Sequence, residues 1–176
     1  MAVDCAAVLI ATGNAMSVVL VRIAAGSAAC LVTLFAGAAF SQEYRTALQI
    51  SPQGGGNCIE VVNREIVRDQ RMQMMACNNS PAQTFIHDPA TNHLTIGGFC
   101  IDVNGGQPGD LVRLWSCESG AKQAWKPEQK GSFTKFVGSN GLCLDIRYGS
   151  KEVGASVQTW NCGDAEPNQL WSLQRK

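Results

Sequence analysis

From residue 58 onward, six cysteines fall into three pairs whose spacing constrains the fold more tightly than anything else in the chain. Cys58, Cys100 and Cys143 open the pairs and stand 42 and 43 residues apart. Their partners Cys77, Cys117 and Cys162 follow after 19, 17 and 19 residues. Unit one reads Cys58-Ile59-Glu60-Val61, then Cys77, then Gln83-Thr84-Phe85. Unit two reads Cys100-Ile101-Asp102-Val103, then Leu114-Trp115-Ser116-Cys117, then Gln123-Ala124-Trp125. Unit three reads Cys143-Leu144-Asp145-Ile146, then Gln158-Thr159-Trp160-Asn161-Cys162, then Asn168-Gln169-Leu170-Trp171. A period of about forty residues marks a fold assembled from copies of one supersecondary unit. Six cysteines permit many pairings, but near-constant intervals within each unit select Cys58–Cys77, Cys100–Cys117 and Cys143–Cys162. Each such bridge closes a short loop and contributes about 3 kcal/mol in the chain-entropy description.

Alternating segments occupy fixed places in that frame. Ala47-Leu48-Gln49-Ile50, His93-Leu94-Thr95-Ile96 and Phe133-Thr134-Lys135-Phe136-Val137 precede the first cysteines, and the cysteine segments alternate again. Asp110 to Trp115 and Ala155 to Trp160 lead into second cysteines, and a further strand follows each Gln-x-aromatic, as in Leu170-Trp171-Ser172-Leu173. Such alternation, punctuated by Asn104-Gly105-Gly106 and Ser139-Asn140-Gly141, predicts short strands joined by turns. No amphipathic helix is expected. Eighteen glycines and a charged fraction of 16% fit a loop-rich all-β domain. Four strands in each of three units give about twelve, closing with three-fold pseudo-symmetry so that sheet edges are not exposed.

The start of the chain differs in kind. Residues 1–41 are almost wholly apolar, with Asp4 and Arg22 as their charged side chains. Arg22 and the apolar run from Ile23 to Phe40 read as the n- and h-regions of a secretory signal peptide. Ala39 and Ser41 supply small residues for cleavage, so the mature start is expected near Gln42, with Met16 as a more ordinary initiator than Met1. A retained membrane anchor is the competing explanation, because the run is long enough to span a bilayer; a lipid anchor on Cys30 fits less well. Export predicts disulfides rather than free thiols. The expected layout is a leader over 1–41 and one domain over 42–176, with repeats at approximately 44–90, 91–130 and 131–176.

Charge excludes some partners. Lys plus Arg and Asp plus Glu are equal at 14, so nothing steers the chain toward nucleic acid or anionic lipid. Two histidines, distant in sequence from any Cys-x-x-Cys pair, give little with which to hold zinc, and no cofactor is expected.

Three copies of Cys-(Ile/Leu)-(Asp/Glu)-(Val/Ile), an aromatic before the second cysteine in two of them, and a closing Gln-x-aromatic together resemble the ricin B-type lectin domain. The resemblance covers roughly Tyr44 to Lys176. It implies a β-trefoil of three pseudo-symmetric four-stranded repeats that binds carbohydrate. Phe85, Trp125 and Trp171 recur at equivalent places and are expected in the core, with Gln83, Gln123 and Gln169 fixing neighbouring groups by hydrogen bonds.

Sugar recognition needs a carboxylate that accepts from hydroxyls, an amide that donates and accepts, and an exposed aromatic face. Unit three has all of these. Asp145 is expected to accept from two adjacent hydroxyls, Trp160 to lie under the apolar face, Asn168 to complete the hydroxyl contacts and Gln169 to orient Asp145, with Gln158 alongside. The resemblance implies the same roles, since galactose-binding ricin-type domains carry these five residue types in this order. Singly, Asp145 could cap a turn and Trp160 could pack against a loop; their convergence on one cysteine frame favours a site. In unit two Asp102, Arg113, Trp115 and Gln123 make a weaker second candidate, with Arg113 in the place of Gln158 and Lys122 in that of Asn168. Unit one has Glu60, Met75 and Ala82 at these places and is expected to hold no site. Gln158 and Asn168 are read as peculiar to unit three.

The expected function is that of a secreted or periplasmic lectin whose third repeat binds galactose or galactose-containing glycans, with the loop from Arg147 to Ala155 selecting the sugar. Two alternatives keep the fold: a cell-targeting subunit for a separate toxin or catalytic chain, and a trefoil that binds protein. An enzyme is not expected. His87 and His93 lie near Pro89, away from a nucleophile, and unit three surrounds its carboxylate with amides rather than with the second carboxylate of a glycosidase.

Overall fold

The computed structural model describes residues 8–12, 15–19 and 47–176. The chain divides into two units, Met1–Glu43 and Tyr44–Lys176. In the first, Val8–Thr12 and Ala15–Val19 pair antiparallel, with Val8 opposite Val19 and Thr12 opposite Ala15. The apolar run from Ile23 to Phe40 and the cleavage point near Gln42 lie outside the described residues.

Residues 47–176 form an all-β trefoil of twelve strands. The first repeat contributes β1 (Ala47–Pro52), β2 (Asn57–Val61), β3 (Met72–Ala76) and β4 (Phe85–Asp88). The second contributes β5 (His93–Ile96), β6 (Phe99–Val103), β7 (Val112–Ser116) and β8 (Trp125–Lys130). The third contributes β9 (Phe133–Gly138), β10 (Leu142–Ile146), β11 (Val157–Asn161) and β12 (Trp171–Arg175). The helical pieces among these residues are single 3-10 turns, such as Pro81–Gln83, Ala121–Gln123 and Pro167–Gln169 ahead of the core aromatics.

Six strands close into a barrel. β12 pairs with β1, β1 with β4, β4 with β5, β8 with β9, and β9 with β12. The remaining seam, between β5 and β8, is joined by a bridge from His93 to Ala124 and by Trp125 N–H donating to Asn92 O at 2.7 Å. Closure leaves no free barrel edge.

The other six strands form the hairpins β2–β3, β6–β7 and β10–β11. They join one another through a bond pair repeated three times. Met74 N–H donates to Ala155 O at 2.8 Å and Met74 O accepts from Gly154 N–H at 2.8 Å. Leu114 exchanges the equivalent pair with Gln70 and Asp69, at 2.7 Å each, and Thr159 with Asp110 and Gly109, at 2.9 and 2.7 Å. Each repeat therefore lends a loop to the hairpin of another. That cyclic exchange makes the cysteine period a three-dimensional symmetry.

Period-two alternation aims one side of the hairpin strands at a shared core, which includes Ile59, Ile101 and Leu144 from the cysteine strands and Met72, Val112 and Val157 from the strands paired with them. Phe85, Trp125 and Trp171 are fully buried, as expected. Trp125 Nε1–H donates to Ile101 O at 2.9 Å and Trp171 Nε1–H to Leu144 O at 3.2 Å, so neither indole leaves a buried donor unpaired. The three bridges form within repeats as the intervals require: Cys58–Cys77, Cys100–Cys117 and Cys143–Cys162.

Each bridge ties the start of a hairpin to the residue following it, which limits the unfolded ensemble. Replacing Cys143 and Cys162 together by Ala is expected to lower unfolding free energy by about 3 kcal/mol. Urea denaturation of the double variant against wild type checks this.

Candidate functional site

All three repeats hold an acidic side chain at the same register position. On each hairpin the residue two places after the first cysteine stands opposite one fixed partner: Glu60 faces Gln73, Asp102 faces Arg113 and Asp145 faces Gln158. The acid is buried in every case. An ionised carboxylate in that position needs donors. The Gln of the closing motif supplies one each time: Gln83 Nε2 donates to Glu60 Oε2 at 2.9 Å, Gln123 Nε2 to Asp102 Oδ2 at 3.2 Å, and Gln169 Nε2 to Asp145 Oδ2 at 3.0 Å. The same nitrogens donate to Ala76, Ser116 and Asn161 carbonyls, at 2.9 Å in each repeat. These glutamines thus lock both the acid and the end of the hairpin's second strand.

In the third repeat the acid opens onto a cleft of about 490 Å³ lined by Asp145, Gln158, Trp160, Asn168, Tyr148 and Glu166, among others. Gln158 Nε2 donates to Asp145 Oδ1 at 2.8 Å, and Asn168 Nδ2 donates to Asp145 Oδ2. Trp160 is 45% exposed and walls the cleft with its ring. The five residues singled out in this repeat are therefore brought together. A carboxylate offers about four acceptor positions, and three are filled by amides before any ligand enters. One acceptor position is left, and a second becomes available where one of the three amides releases its bond.

Burial lifts the Asp145 carboxyl above its usual value of 3.8; hydrogen bonds from Gln158, Gln169 and Asn168 oppose the shift, and the charge of Glu166 adds to it. An acid with a raised folded-state pKa contributes most to folding below its unfolded pKa, and that contribution is lost as pH rises through the folded value. Ionised Asp145 therefore costs stability at neutral pH.

The second repeat brings Asp102, Arg113, Trp115 and Gln123 together but fills the space between them. Arg113 Nε lies 3.5 Å from Asp102 Oδ1, and its Nη1 lies 2.7 Å from Asp69 Oδ1 of the first repeat. The guanidinium groups of Arg68 and Arg113 lie over the Trp115 ring at 3.7 and 4.0 Å from its centre. A ligand there must displace cations already paired with carboxylates and with the platform.

In the first repeat Asn78 Nδ2 donates to Glu60 Oε2 at 3.0 Å and Arg64 Nε lies 3.5 Å from the same oxygen. Gln73 corrects one sequence expectation, because it stands opposite Glu60 as Gln158 stands opposite Asp145. Gln158 is thus not peculiar to the third repeat. What separates the repeats is Asn168, replaced by Ala82 and Lys122, and the open indole of Trp160.

Four lining residues stand outside the repeat pattern legible in the sequence: Gly109, Tyr148, Gly149 and Glu166. Gly109 comes from the second repeat, and a Cβ there would meet Trp160 Cζ3 at 3.4 Å; its φ is +93°. A left-handed backbone against an indole face explains why glycine stands there. Nothing in the linear pattern links Gly109 to Trp160. Tyr148, an aromatic beside Gly149 in the loop expected to select the ligand, carried a readable signal. Among the described residues, the group of side chains arranged as metal ligands is His93 with Cys100 and Cys117, and both sulfurs belong to a disulfide.

Two outcomes are expected. The stability of wild type relative to Asp145→Ala should be greatest below the usual carboxyl value of 3.8 and fall as pH rises toward neutrality, as read by denaturation at about pH 3 and about pH 7. Gly109→Ala should destabilise the domain by about 1–2 kcal/mol through its positive φ and shift the fluorescence of Trp160.

Residues 46–171 match the family described as ricin-type β-trefoil lectin domain. A β-galactoside-specific lectin 2 from Viscum album is 43% identical over 42 residues, which are 23% of this chain and 7% of that protein. The designed three-fold symmetric protein ThreeFoil superposes with a TM-score of 0.66 at 20% identity, covering 72% of this chain and 96% of ThreeFoil. The agglutinin from Abrus precatorius gives a TM-score of 0.66 at 19% identity, covering 76% of this chain and 49% of the agglutinin. The two structural likenesses establish the fold, and the family match over most of the chain establishes descent: this chain belongs to the ricin-type β-trefoil lectin domain family, whose members are non-catalytic carbohydrate-binding domains.

Proposed function

We propose that this protein is an exported lectin that binds galactose or galactose-containing glycans in the cleft of its third repeat. The observation that carries the reading is the convergence of Asp145, Gln158, Asn168 and Gln169 beside the exposed ring of Trp160. Asp145 accepts from the sugar hydroxyls, Asn168 turns from the carboxylate to donate to the same edge, and Gln158 and Gln169 hold Asp145 in place. Trp160 lies under the C–H face of the ring. The identity shared with a β-galactoside-specific lectin supports galactose as the sugar. Three disulfides support an oxidising compartment, and with the apolar leader they support export.

One shallow site of this kind gives weak monovalent binding, with Kd about millimolar to high micromolar. Useful affinity then comes from repeated glycans or from a multivalent partner. Calorimetric titration with galactose is expected to show binding by wild type and by Asp102→Ala, and loss of at least about tenfold in Asp145→Ala. Undiminished binding by Asp145→Ala would exclude the third repeat.

A further inference from the structure

Tyr148 is 88% exposed, the most open large side chain among the described exposed hydrophobics, and it lines the same cleft as Trp160. Its backbone is left-handed, with φ 59° and ψ 15°, a conformation that bulky residues adopt at a cost. The matching turn of the first repeat has Asn63 at φ 57°, a residue type that tolerates this region. The third repeat thus carries a large aromatic where backbone preference favours Asn or Gly. Burial does not compensate for it. The turn is nevertheless fixed on both sides: Arg147 N–H donates to Ser156 O at 3.0 Å and Ser150 N–H to Arg147 O at 3.3 Å. The Arg147 guanidinium lies 5.1 Å from the centre of the Tyr148 ring and helps to hold it.

A strained, exposed and anchored aromatic on the rim of a binding cleft is a contact surface waiting for a ligand. Asp145, Asn168 and Trp160 are enough to engage one sugar ring. The cleft, at about 490 Å³, falls in the range of about 300–1,000 Å³ typical of sites for drug-sized ligands, which leaves room beside a single sugar ring. We infer that Tyr148 is a second stacking platform, so that the site takes a glycan of at least two sugars, with the terminal galactose at Asp145 and Trp160 and the adjoining sugar against Tyr148. The inference rests on the reading that this cleft binds a galactose-type sugar.

Titrating wild type, Tyr148→Ala, Tyr148→Phe and Asp145→Ala with galactose and with lactose separates the two ideas. Wild type and Tyr148→Phe are expected to bind lactose about threefold to tenfold more tightly than galactose. Tyr148→Ala should keep its galactose affinity and lose the lactose advantage, and Asp145→Ala should lose both ligands. If galactose binds but lactose binds no better, or if Tyr148→Ala weakens both sugars equally or neither, the second platform is overturned while the galactose site stands. If wild type binds neither sugar, both ideas fall. Tyr148→Ala is expected to unfold close to the wild-type temperature, because the ring it removes is exposed and alanine keeps a Cβ on the same left-handed backbone.

Discussion

The contact on which the rest depends is the bond from a buried glutamine amide to a buried carboxylate, made once in every repeat. Gln83, Gln123 and Gln169 each donate through one nitrogen to an acid on the hairpin and to the carbonyl ending the hairpin's second strand. Their oxygens accept from Asn78, Glu118 and Gly163 N–H groups just beyond the second cysteines, at 2.9, 2.8 and 3.0 Å. A charged-acceptor bond in a low-dielectric interior is stronger than its counterpart in water, and leaving it unmade is correspondingly costly. This joint ties the turn before the core aromatic to the hairpin, and it aims the acid. Fold and site share one set of atoms.

That sharing explains why the repeats can diverge in use without losing their frame. In the first, the longer Glu60 gathers Asn78, Gln83 and Arg64 on one carboxylate oxygen. In the second, Arg113 links Asp102 to Asp69 and lies over Trp115 with Arg68, converting the same geometry into an inter-repeat clasp. In the third, neutral amides surround Asp145, and Trp160 stays open to solvent. Amides can exchange one partner for another with little electrostatic penalty, whereas a guanidinium paired with two carboxylates cannot. The binding proposed for the third repeat draws on that freedom to trade protein contacts for ligand contacts.

The cleft also depends on chain segments far from its own repeat. Gly109 approaches the Trp160 ring from the second repeat, held by the N–H bond it makes to Thr159 O at 2.7 Å. Thr159 itself replaces the apolar Met74 and Leu114 at the symmetric position, and its hydroxyl donates to Gln107 O at 3.0 Å. The cyclic exchange of loops among repeats therefore sets the orientation of the platform. A monomeric repeat would lack that support.

The linear sequence was enough for the cysteine pairing, the number of strands, the burial of Phe85, Trp125 and Trp171, and the grouping of Asp145, Gln158, Trp160, Asn168 and Gln169. Each of these follows from period, alternation and the local frame, quantities that a chain carries along its length. The equivalence of Gln73 with Gln158 was equally present in the spacing but emerged through strand register, because only pairing shows which residue faces the acid. The contacts of Arg68 with Trp115 and of Gly109 with Trp160, and the occupation of three acceptor positions of Asp145 by amides, were decided by tertiary structure alone. They join residues from different repeats or strands whose separation is set by barrel closure, and no local pattern encodes that distance.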